Sequence, residues 1–250
     1  MILNIFRDKG VFDMNLESIY AFVINVDKEL YRYKFFLEHT SQKFPTKINH
    51  KSAISLKAIR EKYASTKKAY TLKRLKELSH ENTICSIIEE ARRNNWDYIL
   101  IFEDDAECRF DKSYIEDVIK EIPEDIDMCY LGCYMRRFGG RLIQRSKHIL
   151  QICSNSGNIW GFHAVILGKK VYNALYEKLN NSNNKIIADM ALSQIVNSNK
   201  YKCYLCNPCI VYQSHELNSK NVKSLHDNSF NFEKLEKEHS SLVSKNIRKN

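Results

Sequence analysis

The run Tyr98-Ile99-Leu100-Ile101-Phe102 ends without transition in Glu103-Asp104-Asp105. An unbroken apolar segment of this length, with aromatic and β-branched residues, reads as a strand buried on both faces, as in a parallel sheet. Open α/β sheets bind ligands in the crevice beyond the carboxyl ends of their strands, so the three acids are predicted to line such a crevice. Neighbouring carboxylates at a core edge repel one another and resist desolvation unless a cation or a proton compensates. Their hard oxygen donors suit Mg2+ or Mn2+ held together with a phosphate-bearing substrate. The motif therefore points to a metal-dependent enzyme working on a nucleotide-activated substrate.

The flanking pattern supports the α/β class. Ile19 to Val26 reads as a first buried strand, and Lys28 to Phe44 as an amphipathic helix stopped by Pro45. Ser79 is a candidate N-cap for a helix carrying Ile84, Ile87, Ile88 and Ala91, closed by Asn94-Asn95 ahead of the acidic strand. This βαβ rhythm predicts parallel strands with right-handed crossovers. Further on, a helix is predicted to end near Pro123, with strands at 126–131 and 160–167. A hairpin or loop fits 134–156, helices fit 170–179 and 187–196, and a last strand region fits 201–212. With 3 Pro and 7 Gly in 250 residues, long flexible linkers are disfavoured. The expected architecture is one α/β domain over 18–217 with a mostly parallel, Rossmann-like central sheet flanked by helices. Residues 1–17 form an N-terminal extension, and 218–250 a polar C-terminal helix or tail.

No apolar run approaches the ~20 residues of a membrane span. The first residues lack a signal-peptide layout, because charges follow a short apolar patch at once. A cytoplasmic setting with reduced cysteines is the resulting expectation. Cys203, Cys206 and Cys209 form a C-x-x-C-x-x-C run that lacks an evident fourth zinc ligand, so they read as structural cysteines in a strand. The net charge of +9 is concentrated between Lys51 and Lys76, where nine basic residues face one acid, Glu61. That stretch is either a solvated helical face or a funnel for an anionic ligand. Few aromatics interleave with it, which disfavours a nucleic-acid partner.

Several short elements, taken in order, resemble glycosyltransferase family 25, which includes bacterial lipooligosaccharide galactosyltransferases and collagen galactosyltransferases. Ile24-Asn25-Val26-Asp27 with Arg32 is similar to the family's opening I-N-L-D…R. Leu78-Ser79-His80 resembles its L-S-H, and Ile101 to Asp105 its I-L-E-D-D. Asp127 to Gly132 resembles D-I-I-Y-L-G, and Gly161 to Ile166 resembles G-x-H-A-Y-x-I. Ile187-Ala188-Asp189 resembles P-I-D, and Pro208 to Gln213 the closing P-x-x-x-Q. The chain departs from the family before Ser79, where the basic run ending in Lys76-Glu77 replaces the usual glycines and cysteine.

The resemblance implies a GT-A-like fold, a divalent ion (Mn2+, or Mg2+), a UDP-sugar donor (commonly UDP-galactose) and inversion at the anomeric carbon. The acceptor would be a hydroxyl of a glycan, glycolipid or protein. By the same resemblance Asp105 holds the metal, Asp104 shares it, and Glu103 faces the ribose or orients neighbours. Arg32 and Asn25 approach the nucleotide, and His80 caps its helix or touches the donor. Asp189 is the candidate general base; its plain alternative is a first-turn acid favoured by the helix dipole. His215 is a third metal ligand or a surface loop histidine, and Trp160 a sugar platform or core. His163, inside an apolar strand pattern, reads as structural. Two rival classes remain: a nucleotidyltransferase or two-metal nuclease, which needs acids on a second strand such as Asp127, and a transferase-like binding domain without catalysis.

Overall fold

The computed structural model describes residues 19–66, 69–136, 138–153, 158–181, 186–217 and 232–248. The extension at 1–17 and the start of the C-terminal region at 218–231 lie outside the described residues.

The α/β class holds, and among the described residues its centre is a nine-stranded sheet. Strand β1 (Ile19–Asn25) pairs in parallel with both β2 (Ile48–Ser52) and β3 (Tyr98–Glu103). A separate two-stranded ribbon joins β4 (Ala106–Cys108) to β10 (Val211–Gln213). In the main sheet, β8 (Asn158–Gly168) runs antiparallel to β3 and to β5 (Met128–Arg136) on its other side. Beyond β5, β9 (Cys203–Cys206) is parallel to it, and β7 (Ile149–Cys153) is antiparallel to β9 and to β6 (Arg141–Gln144). β11 (Ile247–Arg248) closes that edge alongside β6. The full order is β2-β1-β3-β8-β5-β9-β7-β6-β11. The sheet is therefore mixed, with its parallel β2-β1-β3 part on the side that carries the acids.

Period-two alternation sorts the strand side chains onto two cores. On β3, Ile99 and Ile101 face one core and Leu100 and Phe102 the other. The first core is closed by helices α3 (Leu72–Asn94), α5 (Lys169–Asn181), α6 (Ala188–Asn197) and α7 (Phe232–Asn246). The second is closed by α1 (Leu30–His39) and α4 (Lys112–Lys120). Helix α7 inserts Val243 into the first core, with Leu242 packed against it. Among the described residues no helix is long and apolar enough to cross a membrane.

Two of the departures from the sequence expectation have identifiable reasons. The basic stretch contains strand β2 and helix α2 (Leu56–Tyr63), the latter capped by Ser55, which accepts from Ala58 N at 3.2 Å. Helix α3 begins at Leu72, not near Ser79, because Thr71 caps it by accepting from Arg74 N at 3.2 Å. The intervening Lys, Arg, Leu and Glu residues are strong helix formers, so helix continues through them. Ser79 is thus a buried mid-helix residue whose hydroxyl donates to Ile54 O at 2.5 Å. The C-terminal stop is as expected, with Asn95 in the left-handed region at φ 55°.

Candidate active site

The parallel register sets Ile24 beside Glu103, so the ends of β1 and β3 open into the same crevice. Asn25 and Asp104 are both buried there, and Asn25 Nδ2 donates to Asp104 Oδ2 at 2.6 Å. From the first turn of α1, Arg32 donates through Nε to Asp104 Oδ1 at 2.7 Å and places Nη2 2.5 Å from the same oxygen. Its Nη2 also lies 3.3 Å from Asp105 Oδ2. Burial opposes the guanidinium's charge, but the Asp104 hydrogen bond and the charges of Asp105, Asp104 and Glu29 raise its pKa further. Arg32 is therefore a fixed cation between two carboxylates.

His80, two turns into α3, enters from the other side. Its Nε2 stands 3.2 Å from Glu103 Oε1 without hydrogen-bond alignment, and its ring meets Phe162 edge-on at 5.7 Å. Burial holds the imidazole down at about 4, against a smaller upward pull from Asp104. Glu103 is pushed well above the usual carboxylate range by burial, then by Asp105, Asp189 and Asp104, with Arg32 opposing. Ile24, Val26, Ala53, Lys76 and Ser79 join these groups around a cleft of about 250 Å³.

Asp189 reaches the same cluster from the first turn of α6. Burial raises its carboxyl to about 6, and the backbone N–H of Gly161 partly offsets that rise. Gly161 has φ +132°, a conformation L side chains rarely adopt. Asp189 Oδ1 is shut off from solvent and has no hydrogen-bond partner among the described residues. The residue as a whole is half-buried.

Asn25, Arg32, His80, Glu103, Asp104, Asp105 and Asp189 thus meet at one end of the sheet. His215 follows the β4–β10 ribbon beside them. Its backbone neighbour Ser214 donates to Asp105 O at 2.8 Å, but the His215 ring faces Glu236 Oε1 at 3.1 Å. The β4–β10 ribbon carries the residue close, and its Nε2 lies 3.1 Å from Glu236 Oε1 on α7. Asp104 accepts from Asn25 on one oxygen and from Arg32 on the other. Trp160 is half-buried on β8. His163 is fully buried and occupies the space left by Gly132, where an added Cβ would lie 2.5 Å from His163 Nε2 and 2.0 Å from Val211 O. Its buried Nδ1 has no hydrogen-bond partner among the described residues.

Asp127 lies at the opposite end of β5, where it accepts from Lys202 N at 2.8 Å. Among the described residues of the basic run, Lys51 pairs with Glu90, and Arg74 with Glu77 and Glu81. Lys76, by contrast, lines the cleft. The sequence pattern points to neither Lys76, which a helix starting at Ser79 leaves out, nor Phe162, a β8 residue tied to the site by its edge contact with His80.

A divalent cation fits the donor chemistry: Glu103, Asp104 and Asp105 line the cleft, and Glu103 is driven up by Asp105, Asp189 and Asp104. Among the described residues, these acids do not bring three carboxylate oxygens within 4.8 Å of one another. That spacing suits an ion bound through one or two carboxylates plus substrate phosphates, as Mg2+ commonly is, better than an all-protein cage.

No family model and no curated protein matches the chain. Among solved structures it is similar to mannose-1-phosphate geranyltransferase from Thermus thermophilus, at 10% identity and TM-score 0.39, covering 76% of this chain and 73% of that one. It is similar to CTP:phosphocholine cytidylyltransferase from Streptococcus pneumoniae, at 10% identity and TM-score 0.38, covering 83% and 99%. A third, A197 from STIV, has 12% identity and TM-score 0.37, covering 75% and 80%.

Proposed function

We propose that the chain is a metal-dependent glycosyltransferase of the family 25 type, moving a sugar, galactose as the first choice, from a UDP-sugar to an acceptor hydroxyl. The observation that carries this reading is the meeting of four carboxylates with Arg32 at the shared end of β1 and β3, where a diphosphate and its counter-ion would sit.

Each residue then has a task. Asp105 and Glu103 are the carboxylates that would bind Mn2+ or Mg2+, and a bound cation offsets the charge that develops on the departing diphosphate. Asp104 holds Arg32 and Asn25 so that the guanidinium faces the phosphates and the amide faces the nucleoside. Lys76 adds a second positive charge to the cleft wall. His80, kept neutral, donates or accepts a hydrogen bond without adding charge. Asp189 takes the proton of the acceptor hydroxyl. The acceptor oxygen bonds to the anomeric carbon from the face opposite the nucleotide. The carbon–oxygen bond to the phosphate breaks, and its electron pair leaves with UDP.

Nucleotidyl transfer from a nucleoside triphosphate to a sugar phosphate is the second reading. It is favoured by Asp189, which supplies a carboxylate from a second element, as a two-ion site requires.

One assay separates the two. Metal-stripped protein receives Mn2+ alone and a panel of UDP-sugars, and UDP release is followed. A parallel arm supplies nucleoside triphosphates with sugar phosphates, and pyrophosphate is followed. UDP release from one donor, abolished by EDTA and by Asp105→Ala, supports glycosyl transfer. Pyrophosphate release alone moves the assignment to nucleotidyl transfer. Calorimetry that detects no binding of UDP with Mn2+ would overturn the first reading.

A further inference from the structure

Away from the acids, the C-terminal helix completes a group of soft ligands. Cys133 stands on β5, Cys209 in the bend between β9 and β10, and His239 on α7. All three are buried, and one ligand atom of each lies within 4.8 Å of the other two. Among the described residues no other trio of His, Cys, Asp or Glu converges in this way. We propose that Cys133, Cys209 and His239 form a zinc site that fastens α7 to the central sheet.

The spacing matches the ion. Zinc–sulfur bonds of about 2.3 Å and zinc–nitrogen bonds of about 2.0–2.1 Å, set at the tetrahedral angle, put the two ligand atoms roughly 3.6 Å apart. Cys209 Sγ and His239 Nε2 are 3.6 Å apart. Cys209 Sγ also lies 3.7 Å from the carbonyl oxygen of Cys133, which sets the two cysteines side by side. Two thiolates and an imidazole select zinc over the oxygen-seeking Mg2+ or Mn2+ that suits the acids, so the two sites would take different ions. The fourth position opens into a cavity of about 140 Å³, whose walls include Tyr134, Arg109 and Glu236. That is room for a bound water.

The ligand set cuts across the C-x-x-C-x-x-C run. Only Cys209 belongs to it; Cys203 is held in β9, and the Cys206 thiol lies against Cys129. The ligands come from three separate elements, and one turn before His239 on α7 stands Glu236, which receives both Arg109 and His215. Zinc would thereby fix the turn of α7 that orients His215.

Elemental analysis of the full chain, purified under reducing conditions, is expected to find one zinc per chain. Cobalt added to the metal-free protein is expected to give the visible bands of a tetrahedral ion, with thiolate charge transfer of an intensity that counts two sulfurs. Cys209→Ser and His239→Asn should each weaken zinc binding by at least about 100-fold, the upper end of what loss of a mere supporting partner costs. Cys206→Ser should leave it unchanged. The wild-type cobalt spectrum decides the matter even where a variant fails to fold. Failure to take up cobalt, a spectrum without thiolate bands, or a Cys133–Cys209 disulfide in the isolated protein overturns the site. So does undiminished binding in both ligand variants.

Discussion

At the scale of single residues, Asp189 has the clearest pH signature. Its carboxyl is raised by burial to about 6, above the 3.8 of the exposed group. A raised acid contributes its full share of stability below pH 3.8, and that share is lost as pH climbs through about 6. His80 and His163 work the other way in the same window. Both are held down to about 4 by burial, so they stabilise the fold above the ordinary histidine value and cease to do so on acidification. The opposing effects mask each other in the native protein, so the informative quantity is a difference. In EDTA, Asp189→Asn should match the native protein near pH 4 and exceed it by about 2 kcal/mol at pH 7, a figure that allows for the solvent access of the half-buried side chain. Urea unfolding at the two pH values measures it, and an equal gain at both would remove burial as the cause. In turnover the same variant should bind UDP normally yet lose roughly 10²–10⁴-fold, and near-native activity would end its assignment as the base. Much of this site is visible in the chain, because Asn25, Glu103, Asp104 and Asp105 terminate apolar runs, and strand ends are where α/β sheets gather chemistry. The aim of the His215 ring is not visible, since it depends on Glu236, which approaches only once α7 has docked.

Among the elements, α3 teaches most about what sequence pattern can and cannot mark. Its apolar face at Ile84, Ile87, Ile88 and Ala91 is plain in the chain, and so is the stop at Asn95. The start is hidden because two residues qualify as caps, and helix propensity between them is high enough to admit the earlier one. The consequence is concrete: Thr71→Ala should lower stability by about 1 kcal/mol, as cap removal does. Thermal unfolding checks this, and an unchanged midpoint would return the start of the helix to Ser79. Strand β2 escaped notice because Ile48, Asn49, His50, Lys51 and Ser52 carry little apolar signal; this sheet-edge strand is held by backbone pairing to β1. β8 was evident as a strand but not in its direction. An apolar run has no polarity, and only its neighbours reveal that it opposes β3 and β5.

For the whole molecule, β8 is the seam. It lies between β3 from the first half of the chain and β5 from the second, so neither half owns a finished sheet. Unfolding in urea is therefore expected to give coincident curves for far-ultraviolet circular dichroism and for tryptophan fluorescence, to which Trp96, stacked on Tyr20 at 3.9 Å, contributes. Separated midpoints would mean that the parallel β2-β1-β3 part melts by itself. The same seam bears on the order in which the protein is made. Synthesis proceeds from the N-terminus, and β3, with its apolar Ile99, Leu100, Ile101 and Phe102, leaves the ribosome well before residues 158–168 exist to cover its open edge. Until then the nascent chain carries an unpaired hydrophobic strand, the kind of edge that recruits chaperones or other nascent chains. Yield in a cell should accordingly depend on how quickly the ribosome travels from β3 to β8.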